Sequence, residues 1–162
     1  MRFELLTDRH QTAGFSCGDP ALDSWLVEHA LVNQARSLSR TFVATHDTPA
    51  DSEGQGTVVG YVTLVAAAIE VPHLPSGERR GLVGLDQMGA ALIARLARDQ
   101  RHTHRGLGAW LLQQALHRVL DADQHLAIRA VIVDALNDRA AAWWSVRPPV
   151  APIKRVRASL DR

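Results

Sequence analysis

Gly106 and Gly108 stand between an apolar run and an amphipathic one, and that junction is a place where a phosphate could be held. Leu92, Ile93, Leu96 and Ala97 predict a buried strand before it. After it, Leu107, Leu111, Leu112, Ala115, Leu116, Val119 and Leu120 recur at three- and four-residue spacing, which predicts one buried helix face. Glycine lets backbone approach a ligand with no Cβ in the way. The first N–H groups of a helix lack intrahelical acceptors and carry partial positive charge, so they suit an anion. A plain strand-to-helix turn, with glycine there for geometry, is the alternative.

Competing chemistries fail on residue types. No Gly-Lys-Ser/Thr follows the loop, and the only lysine is Lys154, so a nucleotide-triphosphate loop has no lysine to offer. Arg105-Gly106-Leu107-Gly108 has no third glycine three residues on, which removes the dinucleotide pattern. The histidines form no His-x-x-x-His pair and have no cysteine companions, so no metal is expected. A serine-hydrolase elbow, Gly-x-Ser-x-Gly, does not occur. The one cysteine, Cys17, cannot form an internal disulfide and is expected to be a small buried thiol.

The chain has 162 residues, 46% hydrophobic and 22% charged, enough for one domain with its own core. Arg2–Leu6 predicts a first strand, and Asp19 with Pro20 predicts a helix N-terminus. Leu22, Trp25, Leu26 and Ala30 carry that helix to about Ala35, with Trp25 in the core. Thr41–Thr45 and Thr57–Val65 read as paired strands, and His73–Asp86 as a Pro/Gly-rich connection. The strand over 92–98 and the helix over 107–121 follow. A buried strand is expected over 127–134, then a short helix capped by Asn137 and running through Trp144. No run approaches the roughly 18 apolar residues of a membrane span, and Met1–Arg9 is too charged for a signal peptide. A cytoplasmic protein without a membrane partner is expected.

Arg-Gly-Leu-Gly opening an apolar helix after a strand resembles the acyl-CoA pyrophosphate loop of GNAT-superfamily acetyltransferases. Other runs narrow the resemblance: Phe15-Ser16-Cys17-Gly18, Leu22-Asp23-Ser24-Trp25-Leu26, Asn33-Gln34 and Ser39-Arg40-Thr41-Phe42-Val43. Val59-Gly60-Tyr61, Ala94-Arg95-Leu96-Ala97 and Val133-Asp134-Ala135 follow in order. Over residues 1–144 the chain is similar to the GNAT toxins of type II toxin–antitoxin pairs, which acetylate the free amine of aminoacyl-tRNA and so stop translation.

That resemblance implies an α+β GNAT fold with a mixed, mostly antiparallel central sheet flanked by helices. It implies acetyl-CoA as cosubstrate, with no metal. Backbone at Leu96, Ala97 and Arg98 would pair with the pantetheine arm, in a slot where the sheet splays. Thr103, His104, Arg105, Gly106, Leu107, Gly108 and Ala109 would hold the pyrophosphate, with Asn137 also beside the cofactor. Acceptor contacts are expected at Asn33, Arg36, Arg40 and Arg95. Arg101 and Arg105 could add to the same basic face. The implied partners are aminoacyl-tRNA, a small ribbon-helix-helix antitoxin and a second copy of the chain in a homodimer.

The chain departs from that pattern twice. Thr103-His104 replaces a Gln/Arg-Gly pair. More seriously, the family's catalytic tyrosine, in a Phe-Tyr-x-x-x-Gly-Phe run, aligns with Trp144. An indole N–H donates a hydrogen bond but is no usable acid, and the only tyrosine is Tyr61 on a central strand. After Ser145 the Gly-Phe and the two closing strands are missing. Residues 146–162 form a basic, Pro-rich tail outside the domain 1–145, with five basic residues against one acid, Asp161. The tail is expected to be disordered, an out-of-frame or truncated end, or a basic arm that grips RNA. The expected function is an N-acetyltransferase acting on aminoacyl-tRNA, impaired by Trp144. A GNAT enzyme for a small amine or protein N-terminus, and a non-catalytic remnant that binds acyl-CoA or an antitoxin, are the alternatives.

Overall fold

The computed structural model describes residues 1–46, 56–74, 76–102 and 106–133, and the backbone of 154–155. It divides into two compact units, Met1–Val65 with Ala94–His117 and Ala66–Ile93 with Arg118–Arg162.

In the first unit the sheet order is β1-β2-β3-β4. Strand β1 (Arg2–Leu5) runs antiparallel to β2 (Arg40–His46), from Arg2↔Thr45 to Leu5↔Phe42. β2 is antiparallel to β3 (Thr57–Glu70), with a bulge between Ala44 and Thr45. Strand β4 is Gln87–Arg98, of which Ala94–Arg98 belongs here. The core is Leu6, Phe15, Trp25, Leu26, Ala30, Val43, Val58, Tyr61 and Ala97.

Helix α1 (Pro20–Ser24) starts as its sequence dictates, with Pro20 at the first position and Asp19 Oδ1 accepting the Ala21 N–H at 2.9 Å. The expected continuous helix to Ala35 is instead interrupted: a π-helical turn, Trp25–His29, separates α1 from α2 (Ala30–Ala35). The Ala30 N–H reaches back to the Trp25 carbonyl, and the Tyr61 hydroxyl donates to the Leu22 carbonyl at 2.9 Å. α2 ends in a Schellman turn on Ser37, whose φ is 57°. There the Leu38 N–H donates to Asn33 O at 2.9 Å and the Ser37 N–H to Gln34 O at 3.0 Å.

Helix α3 (Leu107–Asp123) buries Leu107, Leu111, Ala115 and Val119, the stripe its spacing predicts. Gly60 admits it to the sheet, because a Cβ there would sit 2.8 Å from Leu111 Cδ1.

In the second unit the order is β3-β4-β5-β6. Strand β5 (Ala130–Val133) is parallel to β4 from Ala90↔Ala130 to Ile93↔Val133, starting three residues later than the expected 127, while residue 134 lies outside the described residues. Arg129, which precedes it, donates its N–H to the Gly89 carbonyl at 2.9 Å. β3 and β4 both run longer than their apolar cores suggest, through Ala66–Glu70 and from Gln87. Val71, Leu74 and Leu82 form a small core with Ile69 and Met88. Within the tail, Lys154–Arg155 form β6, parallel to β5, a pairing the Pro-rich composition did not lead one to expect. The two closing strands are not seen among the described residues.

Candidate functional site

The phosphate-holding junction forms at the start of α3. The Trp110 N–H donates to the Gly106 carbonyl at 2.9 Å, the first rung of the helix. The N–H groups of Leu107, Gly108 and Ala109 therefore precede the intrahelical ladder and suit an anion. Gly106 has φ 66°, a left-handed conformation that glycine takes without strain. Among the described residues nothing lies within 4 Å of where its Cβ would be, so the backbone stands open to a ligand. Gly108 sits inside the first turn of α3, so the conformational demand falls on Gly106 alone.

The approach to this junction is anchored by Asp99, directly after β4 and fully buried. Its Oδ1 accepts the Arg101 backbone N–H and Nε, both at 2.8 Å. Its Oδ2 accepts Arg101 Nη2 at 2.7 Å and the Ser16 N–H at 3.3 Å. The Asp99 N–H donates to Val59 O at 2.8 Å, tying the end of β4 to β3. The Arg101 guanidinium, first among its causes, holds the Asp99 carboxyl down at about 2, against the opposing effect of burial. Arg101 also donates to Gly14 O at 3.0 Å, and the Gln100 N–H to Ser16 O at 2.8 Å. The turn Gln100–His102 is thus fastened to residues 14–16, which lead into α1. Arg101, expected in a basic face, pairs its guanidinium with Asp99 while its side chain remains exposed.

Among the described residues, the buried nitrogens that lack a hydrogen-bond partner include Arg98 Nη1 at the end of β4, and His102 Nδ1, which lies 3.8 Å from Asp99 Oδ1. An open, glycine-led helix start fits the phosphate of an anionic cofactor. Leu96 and Arg98 are half-buried and Ala97 buried, at the end of β4. Their backbone is where an extended arm could add as a strand. Thr103, His104, Arg105, Asn137 and Trp144 lie outside the described residues.

On the α1 side, the Arg95 guanidinium lies 4.2 Å from the centroid of the Trp25 ring. Trp25 in turn stacks on Tyr61, centroids 6.0 Å apart. Tyr61 is completely buried, and burial, reinforced by Cys17, raises its pKa well above the usual range. It cannot serve as a replacement acid. The half-buried Cys17 thiol is pushed up to about 11, chiefly by burial and then by Asp23, so it stays protonated at neutral pH. Arg36 is exposed after α2. Arg40, across the Schellman turn, is exposed but donates Nη1 to Gln34 O at 3.1 Å and to Ser39 O at 3.2 Å. Asn33 contributes its carbonyl to that turn. Gln34, given no role by sequence reasoning, clamps two strands: Nε2 donates to Leu6 O at 2.7 Å and Oε1 accepts the Thr41 N–H at 3.1 Å.

Among the described residues no three of His, Cys, Asp or Glu gather closely enough to hold a metal ion. No helix there is long and apolar enough to cross a membrane.

No protein-family model matches the chain. Individual proteins do. The tRNA-acetylating toxin of Mycobacterium tuberculosis is 34% identical over 139 residues, 86% of this chain and 78% of that protein. A tyrosine-to-phenylalanine mutant of KacT has a TM-score of 0.79 at 25% identity, covering 89% of this chain and 83% of its own. AtaT complexed with acetyl-methionyl-tRNAfMet has a TM-score of 0.78 at 27% identity, with the same coverage of 89% and 83%. AtaT in complex with its antitoxin AtaR and acetyl-CoA matches at 0.72 and 25% identity, covering 89% and 80%.

Proposed function

Because this chain belongs to the GNAT-fold family of tRNA-acetylating toxins, a family of acetyltransferases, we propose that it acetylates the α-amine of aminoacyl-tRNA with acetyl-CoA. The observation that carries the reading is the junction of β4 and α3, with Gly106 open to a ligand and the first N–H groups of α3 ahead of its hydrogen-bond ladder. Bound acetyl-CoA would supply the acetyl group as a thioester. The N–H groups of Leu107, Gly108 and Ala109 hold its diphosphate, and the family resemblance assigns Thr103, His104, Arg105 and Asn137 to the same ligand. Backbone at Leu96, Ala97 and Arg98 orients the pantetheine arm. Arg95, held flat by Trp25, and Arg36, Arg40 and Asn33 face the acceptor RNA.

Trp144 stands at the position of the family's tyrosine and donates a hydrogen bond without a transferable proton. With Tyr61 sealed in the core, the chain turns over slowly, by about 10²- to 10⁴-fold for the lost acid. Its regulator is an antitoxin of ribbon-helix-helix type, as AtaT is bound by AtaR. The chain acts in the cytoplasm as a homodimer, and residues 146–162 form an appendage to the acetyltransferase domain 1–145. Transfer of labelled acetyl to charged tRNA, set against free amines and peptide N-termini, tests the reading. Charged tRNA is expected to be the preferred acceptor, with Trp144→Tyr raising its rate. Preference for a free amine would favour the general GNAT alternative.

A further inference from the structure

We propose that Trp25 is a positioning residue for the acceptor, its indole fixing the Arg95 guanidinium so that the N–H donors meet a phosphate of the tRNA acceptor end; this rests on the aminoacyl-tRNA reading above. Alternation along β4 puts Arg95 on the same sheet face as Ala97, and Ala97 packs in one core with Trp25 and Tyr61. An arginine therefore stands where the pattern calls for an apolar residue. Its guanidinium lies over the Trp25 ring, 4.2 Å from the centroid, a contact that uses no hydrogen-bond acceptor. Among the described residues no carboxylate pairs with Arg95 and no oxygen accepts its N–H groups. The carboxylate that follows β4, Asp99, is taken by Arg101 and Ser16. Half-buried, the Arg95 cation has lost water without gaining a counter-ion, a condition that a ligand phosphate relieves.

Trp25 is itself held from several sides. It is 8% exposed and stacks on Tyr61 with an interplanar angle of 15°. Tyr61 is fully buried, meets the Phe15 ring edge-on at 5.6 Å and donates its hydroxyl to the Leu22 carbonyl. Trp25 also opens the π-helical turn, where its carbonyl accepts the Ala30 N–H. Turns of this kind recur at functional sites. Ring and backbone are both fixed, so the guanidinium resting on the ring gives up little further freedom when it meets a phosphate. Its planar fork of donors matches phosphate oxygens.

The test uses the full chain, Trp25→Leu, Arg95→Gln and the double variant. Binding of charged tRNA is measured across salt, with melting temperature in parallel. Arg95→Gln should weaken charged tRNA by roughly ten-fold, the loss of a charge-assisted contact. It should also lower the slope of log affinity against log salt by about one, one phosphate contact's worth. Trp25→Leu should weaken charged tRNA by about two- to thirty-fold, the range of a cation–π contact. In the Arg95→Gln background Trp25→Leu should cost no further affinity, although it lowers the melting temperature there as it does in the parent. Affinity for acetyl-CoA should stay unchanged throughout. Trp25→Phe, which keeps an aromatic face, should retain most of the tRNA affinity and serves if the leucine variant folds poorly. Full additivity of the two losses, an unchanged salt slope in Arg95→Gln, or unchanged tRNA affinity in either single variant would each overturn the proposal. If the unmodified chain binds no charged tRNA, the functional reading falls with it; if it binds and the single variants bind equally, only the Trp25–Arg95 assignment falls.

Discussion

Asp99→Asn should destabilise the chain in a pH-dependent way that identifies the carboxylate as the cause. Asp99 is 0% exposed and its carboxyl is lowered from 3.8 to about 2, with Arg101 as the leading cause. One pKa unit corresponds to 1.36 kcal/mol, so the ionised form contributes about 2 kcal/mol to folding. The sign follows from the direction of the shift. A carboxyl with a depressed folded-state pKa stabilises above its unfolded value and loses that contribution as pH falls through the folded one. Urea unfolding of both proteins should therefore show a gap of about 2 kcal/mol at neutral pH that persists to about pH 4 and closes towards pH 2. Other carboxyls titrate in both proteins and cancel in the difference. A gap that stays constant across this range would refute the argument, since it would then reflect the shape of the side chain and not its charge.

Gly60→Ala should cost about 1–3 kcal/mol by overpacking. Its Cβ would meet Leu111 Cδ1 at 2.8 Å and the Ala97 carbonyl at 3.3 Å. Urea unfolding of the double variant with Leu111→Ala should show less than the summed loss, because the obstructing methyl is gone. Gly106→Val forces a β-branched residue into a left-handed conformation at φ 66°. It should weaken acetyl-CoA about ten-fold by calorimetry, on the order of the 1–2 kcal/mol that such a conformation costs. Arg36→Glu should weaken tRNA binding and flatten its dependence on log salt by about one unit of slope, one phosphate contact's worth. Arg40→Glu would remove its bonds to Gln34 and Ser39 as well, so its loss of binding should come with a lower melting temperature.

Features that depend on neighbouring residues were readable from the chain itself. The Asp19–Pro20 helix start, the α3 stripe from Leu107 to Val119 and the glycine before it follow from local spacing and backbone freedom. Ala66–Glu70 and Gln87–Ala91 escaped notice because alanine and glycine carry little strand signal; their pairing is imposed by the rest of the sheet. The π-helical turn depends on partners far along the chain, with Tyr61 reaching Leu22. The site follows the same division. Its phosphate-holding turn shows in the order of residues, whereas the capture of Arg101 by Asp99 shows only once residues 14–16 are folded beside them. An arginine's type announces charge, and only its partners decide whether that charge is available. By that measure Arg101 is first a partner of Asp99.

The most direct test is the chemical identity of the product. Charged tRNA incubated with the full chain and acetyl-CoA would be digested with ribonuclease, and the aminoacyl-adenosine released from its 3′ end analysed by mass spectrometry. One acetyl group on the α-amine of the amino acid is expected, formed slowly by the unmodified chain and faster after Trp144→Tyr. Aminoacyl-adenosine that stays unacetylated with both proteins, while a free amine in the same mixture is modified, would contradict it.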